Sequence, residues 1–116
     1  MEKNILSQKN RYLIRWVGRC QYDTHDKIWG WFFYFQEGYK TSNITQPICY
    51  TFWARTGKSP SFKKHDFSKW TMNRLVDQKV SRSYESINIE TLEQIWPSFY
   101  NDIETRFMFY ILSESV

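Results

Sequence analysis

The sequence predicts an α+β domain, an antiparallel sheet with helices packed on one face. Three observations carry that reading. Strand-forming runs of period two or of unbroken apolar character fill the first half of the chain. One helix-length segment with a capping residue follows at Asp66–Ser81. Two further helical segments, broken near Pro97, close the sequence.

The elements follow in order. Residues 1–10 are polar and read as a flexible terminus. Tyr12, Ile14 and Trp16 then alternate with Arg11, Arg15 and less apolar neighbours, the pattern of a strand with one buried face. Gln21–Lys27 holds Asp-Thr-His-Asp, a polar turn cluster. Ile28–Gln36 is apolar on both faces, which predicts a central strand covered on both sides or offering one face to a partner. Glu37–Pro47 reads as a loop. In Ile48–Arg55, residues Ile48, Tyr50, Phe52 and Ala54 point one way, and Cys49, Thr51, Trp53 and Arg55 the other. Thr56–Pro60 is a turn, and Ser61–His65 returns as a fourth strand, completing a hairpin.

Asp66 or Ser68 can cap the helix that runs to Ser81. Its apolar stripe combines Trp70, Met72, Leu75 and Val76. Tyr84–Ile89 can return as a short strand. Thr91–Trp96 and Ser98–Thr105 read as helices, with Pro97 tolerated at the start of the second. Phe107–Leu112 fits either a continued helix or a strand.

At 116 residues the chain suits one domain. Aromatic residues make up 20% of it, more than a core of this size needs, so surplus rings are candidates for binding surface. The first ten residues lack the apolar run of a signal peptide, and no stretch reaches the ~18 apolar residues of a membrane span. The expectation is an intracellular protein, of cytoplasm or nucleoid, with no membrane contact. Cys20 and Cys49 then read as free thiols.

The net charge of +4 is unevenly spread. Residues 55–82 carry eight basic groups against two acidic ones, whereas residues 83–116 carry one against six. A basic middle suits a polyanion, and the acidic, aromatic segment Thr91–Leu112 suits a separate protein contact.

Several familiar chemistries fail on spacing. Gly57-Lys58-Ser59 resembles the end of a phosphate-binding loop, but Phe52 stands where that loop needs its first glycine. Cys20, Asp23, His25 and Asp26 are metal-ligand types without a zinc spacing, and read as a solvated turn. No nucleophile signature surrounds any serine or cysteine. The expectation is a protein without catalytic residues, metal or cofactor.

The informative segment is Cys49–Lys64. Trp53 and Arg55 share a strand face, Lys58 lies in the adjoining turn, and Lys63 and Lys64 lie on the return strand. A ring beside cations suits nucleic acid, because rings stack on bases or sugars while Lys and Arg neutralise phosphate.

Trp53-Ala54-Arg55-Thr56-Gly57 resembles the Trp-Gly-Arg-any-Gly motif of the WGR domain. The strands before it, the Phe62–His65 strand, the Asp66–Ser81 helix and Arg82-Ser83-Tyr84 are similar to the elements around that motif, so the likeness spans about Tyr12 to Ile87. Ala54 stands where the family has glycine. The resemblance implies a twisted antiparallel sheet with one helix on it, at residues 11–89; the helical segments at 90–116 read as a C-terminal extension outside the likeness. It also implies a stand-alone module of bacterial or viral type, binding DNA ends or nicks without catalysis. Trp53 would pack on an end sugar or base, Arg55 hold phosphate or signal to a partner, and Tyr84 approach a phosphate at the break. The nucleic-acid surface expected from both lines is Trp53, Arg55, Lys58, Lys63, Lys64, Lys69 and Tyr84.

Overall fold

The computed structural model describes residues 12–22, 24–35, 48–66 and 69–114. The terminus read at 1–10, the loop read at 37–47, and Asp23, Phe67 and Ser68 lie outside the described residues.

Strands β1 (Tyr12–Tyr22), β2 (His25–Tyr34), β3 (Ile48–Arg55) and β4 (Ser61–His65) precede helix α1 (Lys69–Ser81). A two-residue strand β5 (Glu85–Ser86) and helices α2 (Ile89–Ile95) and α3 (Phe99–Glu114) follow. The sheet is antiparallel with strand order β4-β3-β2-β1-β5, so β2 is central.

A central strand with both faces apolar demands cover on both sides, and it has it. On one face Ile28 and Phe32 of β2 meet Tyr50, Phe52 and Phe62, with Leu92 and Trp96 of the α2 segment and Phe99, Ile103 and Phe107 of α3. On the other, Trp29, Trp31 and Cys49 meet Met72 of α1. The helices therefore divide between the two faces: the expectation of helices on one face is corrected, and β2 is covered on both sides. The physical reason lies in β2 itself, which sets Ile28 and Phe32 on one face and Trp29 and Trp31 on the other.

Phe107 is the hub of the larger core. Its ring centroid lies 4.8 to 5.3 Å from those of Phe32, Tyr34, Tyr50 and Phe62, all tilted or edge-on. Such geometry matches ring edges to ring faces, a gain of ~0.5–1.5 kcal/mol per pair beyond burial. The ambiguous Phe107–Leu112 is thus a continuation of α3.

The break between α2 and α3 is local chemistry. Trp96 precedes Pro97, and the proline ring disfavours helical backbone there; Trp96 sits at φ −143°, ψ 76°. Its buried indole N–H donates to Asp102 Oδ2 at 2.8 Å, and the Ser98 hydroxyl donates to the same oxygen at 2.8 Å. Asn88 caps α2 by accepting from the Thr91 amide at 2.8 Å.

Two glycines matter. A Cβ on Gly30 would lie 2.5 Å from the Trp16 carbonyl oxygen and 2.7 Å from the Phe52 ring, beside the register shift between Ile14 and Trp16 of β1. Gly57 has φ 83°, which the β3–β4 turn needs and an L-residue resists.

Candidate nucleic-acid interface

Strand register decides which of the expected residues stand together. Across the sheet, Ser61, Trp53, Trp29 and Gly18 form one transverse row. The next row on the same face is Arg55, Lys27 and Cys20. Both rows lie on the face that carries α1. Met72 is buried against that face and Leu75 and Val76 pack beside it, but the helix leaves Trp53 40% exposed. Trp53 thus belongs to neither buried cluster.

Of the expected residues, Trp53, Arg55 and Lys63 share this face through strand alternation. Tyr84 also reaches it, half-buried against the second cluster, with its Cβ beside Gly18. Lys64 does not. It alternates to the opposite face, where its backbone lies against the Tyr110 hydroxyl. Lys58 sits in the β3–β4 turn and lines a hollow of about 280 Å³ with Asn101, Asp102, Arg106 and Phe109. Lys69 opens α1. The expected surface is therefore three residues and Tyr84 on one face, with Lys58 and Lys64 turned away from it.

Three cations that the sequence reading passed over join that face. Lys79, near the end of α1, has its ammonium 5.5 Å from the Trp29 ring centroid and 5.5 Å from that of Tyr84. Burial, then Arg82, then Lys27 hold the Lys79 ammonium below the usual lysine range. Lys27 is the direct cross-strand partner of Arg55, a like-charge pair that opposes folding unless an anion or solvent screens it.

Lys27, Lys63, Lys79, Arg82, Trp53 and Tyr84 line two shallow hollows that meet at Lys79. One, of about 310 Å³, is lined by Trp29, Thr51, Trp53, Lys63, His65, Leu75, Gln78 and Lys79. The other, of about 420 Å³, is lined by Cys20, Tyr22, Lys27, Lys79, Arg82, Ser83 and Tyr84. Among the described residues neither lining includes a carboxylate. Asp26, next to Lys27 in sequence, alternates to the opposite face. There Arg19 clamps it with two 2.9 Å bonds, Nε to Oδ1 and Nη2 to Oδ2.

His65 accepts or donates a 3.0 Å hydrogen bond with the buried Thr51 hydroxyl, and burial and Lys63 lower its pKa. Cys49 is fully buried and its thiol is pushed up to about 11, which removes it as a nucleophile. Cys20 and Cys49 are both free. Among the described residues no three His, Cys, Asp or Glu side chains gather to hold a metal ion, and no helix is long and apolar enough to cross a membrane.

No protein family, characterised protein or solved structure matches the chain.

Proposed function

We propose that the protein acts by binding nucleic acid, without catalysis, through the α1-bearing face of its sheet. The reading keeps the WGR-like assignment, with DNA ends, nicks or flaps as ligands. One observation carries it. The half-exposed Trp53 stands in a face with Arg55, Lys27, Lys63, Lys79 and Arg82, whose two hollows are lined without a carboxylate among the described residues. Aromatic rings take bases or sugars there, and the cations take phosphates. The cross-strand pair of Arg55 and Lys27 supports the same reading, since it opposes folding and favours an anion.

Titration of binding against salt tests this. Five cations on phosphate give a log–log slope of about −4.5 on duplex and about −3.5 on a single strand. Affinity independent of salt, or no affinity, would reject it.

A second reading has its own observation. The outer side of α3 exposes Met108 at 44%, Phe109 at 61% and Leu112 at 60%, opposite its buried Phe99, Ile103 and Phe107. These rings and chains suit a protein partner, which would make the molecule an adaptor or inhibitor docking on a nucleic-acid-processing enzyme. Loss of a pulled-down partner on Phe109→Glu, with nucleic-acid affinity intact, would favour it.

A further inference from the structure

The two hollows are joined by one residue. The first has the rings Trp29 and Trp53 beside Lys63. The second has the cations Lys27 and Arg82 beside Tyr22 and Tyr84. Lys79 belongs to both, and its ammonium lies over Trp29 and Tyr84 rather than out in solvent.

We infer that this face takes a single strand of nucleic acid, one base stacked on Trp53 and an adjoining phosphate held by Lys27, Lys79 and Arg82. The inference rests on the nucleic-acid reading and narrows it to the unpaired part of a substrate. Each hollow is at the small end of the ~300–1,000 Å³ of sites that take one small molecule, so each has room for about one nucleotide. A duplex offers its stacked bases only at an end, and its phosphates lie on a broad convex surface. A single strand can turn a base out onto an exposed ring while its backbone follows a narrow basic track. Here the track is recessed: α1 walls the Trp53 hollow through Leu75, Gln78 and Lys79. A phosphate must enter the recess to meet Lys79. Lys27 from β2 and Arg82 from the turn after α1 both repel that ammonium. A phosphate placed between the three removes that repulsion.

Fluorescence anisotropy with the full chain decides it. The probes are an oligothymidylate, an oligouridylate and a blunt duplex of equal length at physiological salt. At least one single strand is expected to bind more tightly than the duplex, by about 5- to 150-fold, the equivalent of one base stacked on a ring. Lys79→Met, which keeps the packing stem, and Arg82→Gln, at an exposed site, should each weaken single-strand binding by about tenfold or more. Thermal melting of both variants guards against misfolding. Duplex binding equal to or tighter than that of both single strands overturns the inference and leaves the nucleic-acid reading standing. So does single-strand binding unaffected by Arg82→Gln. Binding of none of the three probes overturns both together.

Discussion

Trp53 and Trp29 are direct cross-strand partners on one face of the sheet, yet Trp53 is 40% exposed and Trp29 only 4%. The difference comes from the extent of α1, which buries Trp29 of β2 and Cys49 of β3 on that face but leaves the Trp53 end of β3 uncovered. Adjacent rings of the same type thus have different work. Trp29→Ala removes a core ring and should lower stability by ~3–5 kcal/mol. Trp53→Ala should leave most of the melting temperature in place and weaken nucleic-acid binding by ~1–3 kcal/mol. A melt and a binding titration on both variants check this. Equal destabilisation by the two would make Trp53 a core residue.

Lys27 and Arg55 face each other across the same ladder as like charges. Such a pair lowers stability by ~0.2–1 kcal/mol, and a protein retains it where the charge is used. Lys27→Gln should therefore raise the melting temperature slightly while weakening binding. A variant that is both less stable and unaltered in binding would show that the pair has no such use.

Much of this face was legible before the fold was known. Strand alternation alone put Trp53 and Arg55 together, and the turn at Gly57 made Ser61–His65 their return strand. The same alternation, carried one residue further, separates Lys63 from Lys64, whose pairing as one patch came from charge counting. Lys27 was not legible, because its place opposite Arg55 depends on the β2–β3 register, which no residue type at either position specifies. Lys79 was within reach. It lies four residues after Leu75 and seven after Met72, on the buried stripe of α1. Trp70 was assigned to that stripe on hydrophobicity, but it sits two residues from Met72, which on a helix is nearly the opposite side. It is 67% exposed, with the Arg74 guanidinium 5.3 Å from its ring centroid.

Asp102 joins the C-terminal helices to the core through one oxygen, which accepts from both Trp96 and Ser98. Asp102→Ala would leave the Trp96 indole N–H, in a side chain 1% exposed, without its partner. Denaturant titration should show a loss of ~1–3 kcal/mol. Removing residues 90–116 should do far more, because Phe99, Ile103 and Phe107 cover one whole face of β2. That truncation is expected to give an aggregating or unfolded chain. A monomeric, cooperatively melting product would show that the sheet and α1 suffice alone.

His65 supplies the pH dependence. Its folded pKa lies below the ordinary value of ~6.5, first through burial and then through Lys63. The neutral ring is therefore favoured in the fold. In the window just below the unfolded value the unfolded chain binds the proton more readily, so stability rises with pH. Read the other way, the contribution is complete above ~6.5 and is lost as pH falls through the lower folded value. Melting temperature should drop on acidification from neutral pH. His65→Gln, which can still hydrogen-bond Thr51 but does not titrate, should flatten that part of the profile. Nucleic acid reverses the local field. His65 and Lys63 line the Trp53 hollow, so a phosphate bound beside them should raise the His65 pKa by opposing the Lys63 charge. Single-strand affinity should then increase as pH falls from neutral toward ~6, while the free protein becomes less stable over the same range. Imidazole resonances followed by NMR with and without an oligothymidylate give both pKa values. A bound-state pKa no higher than the free one would show that no phosphate reaches this side of the face.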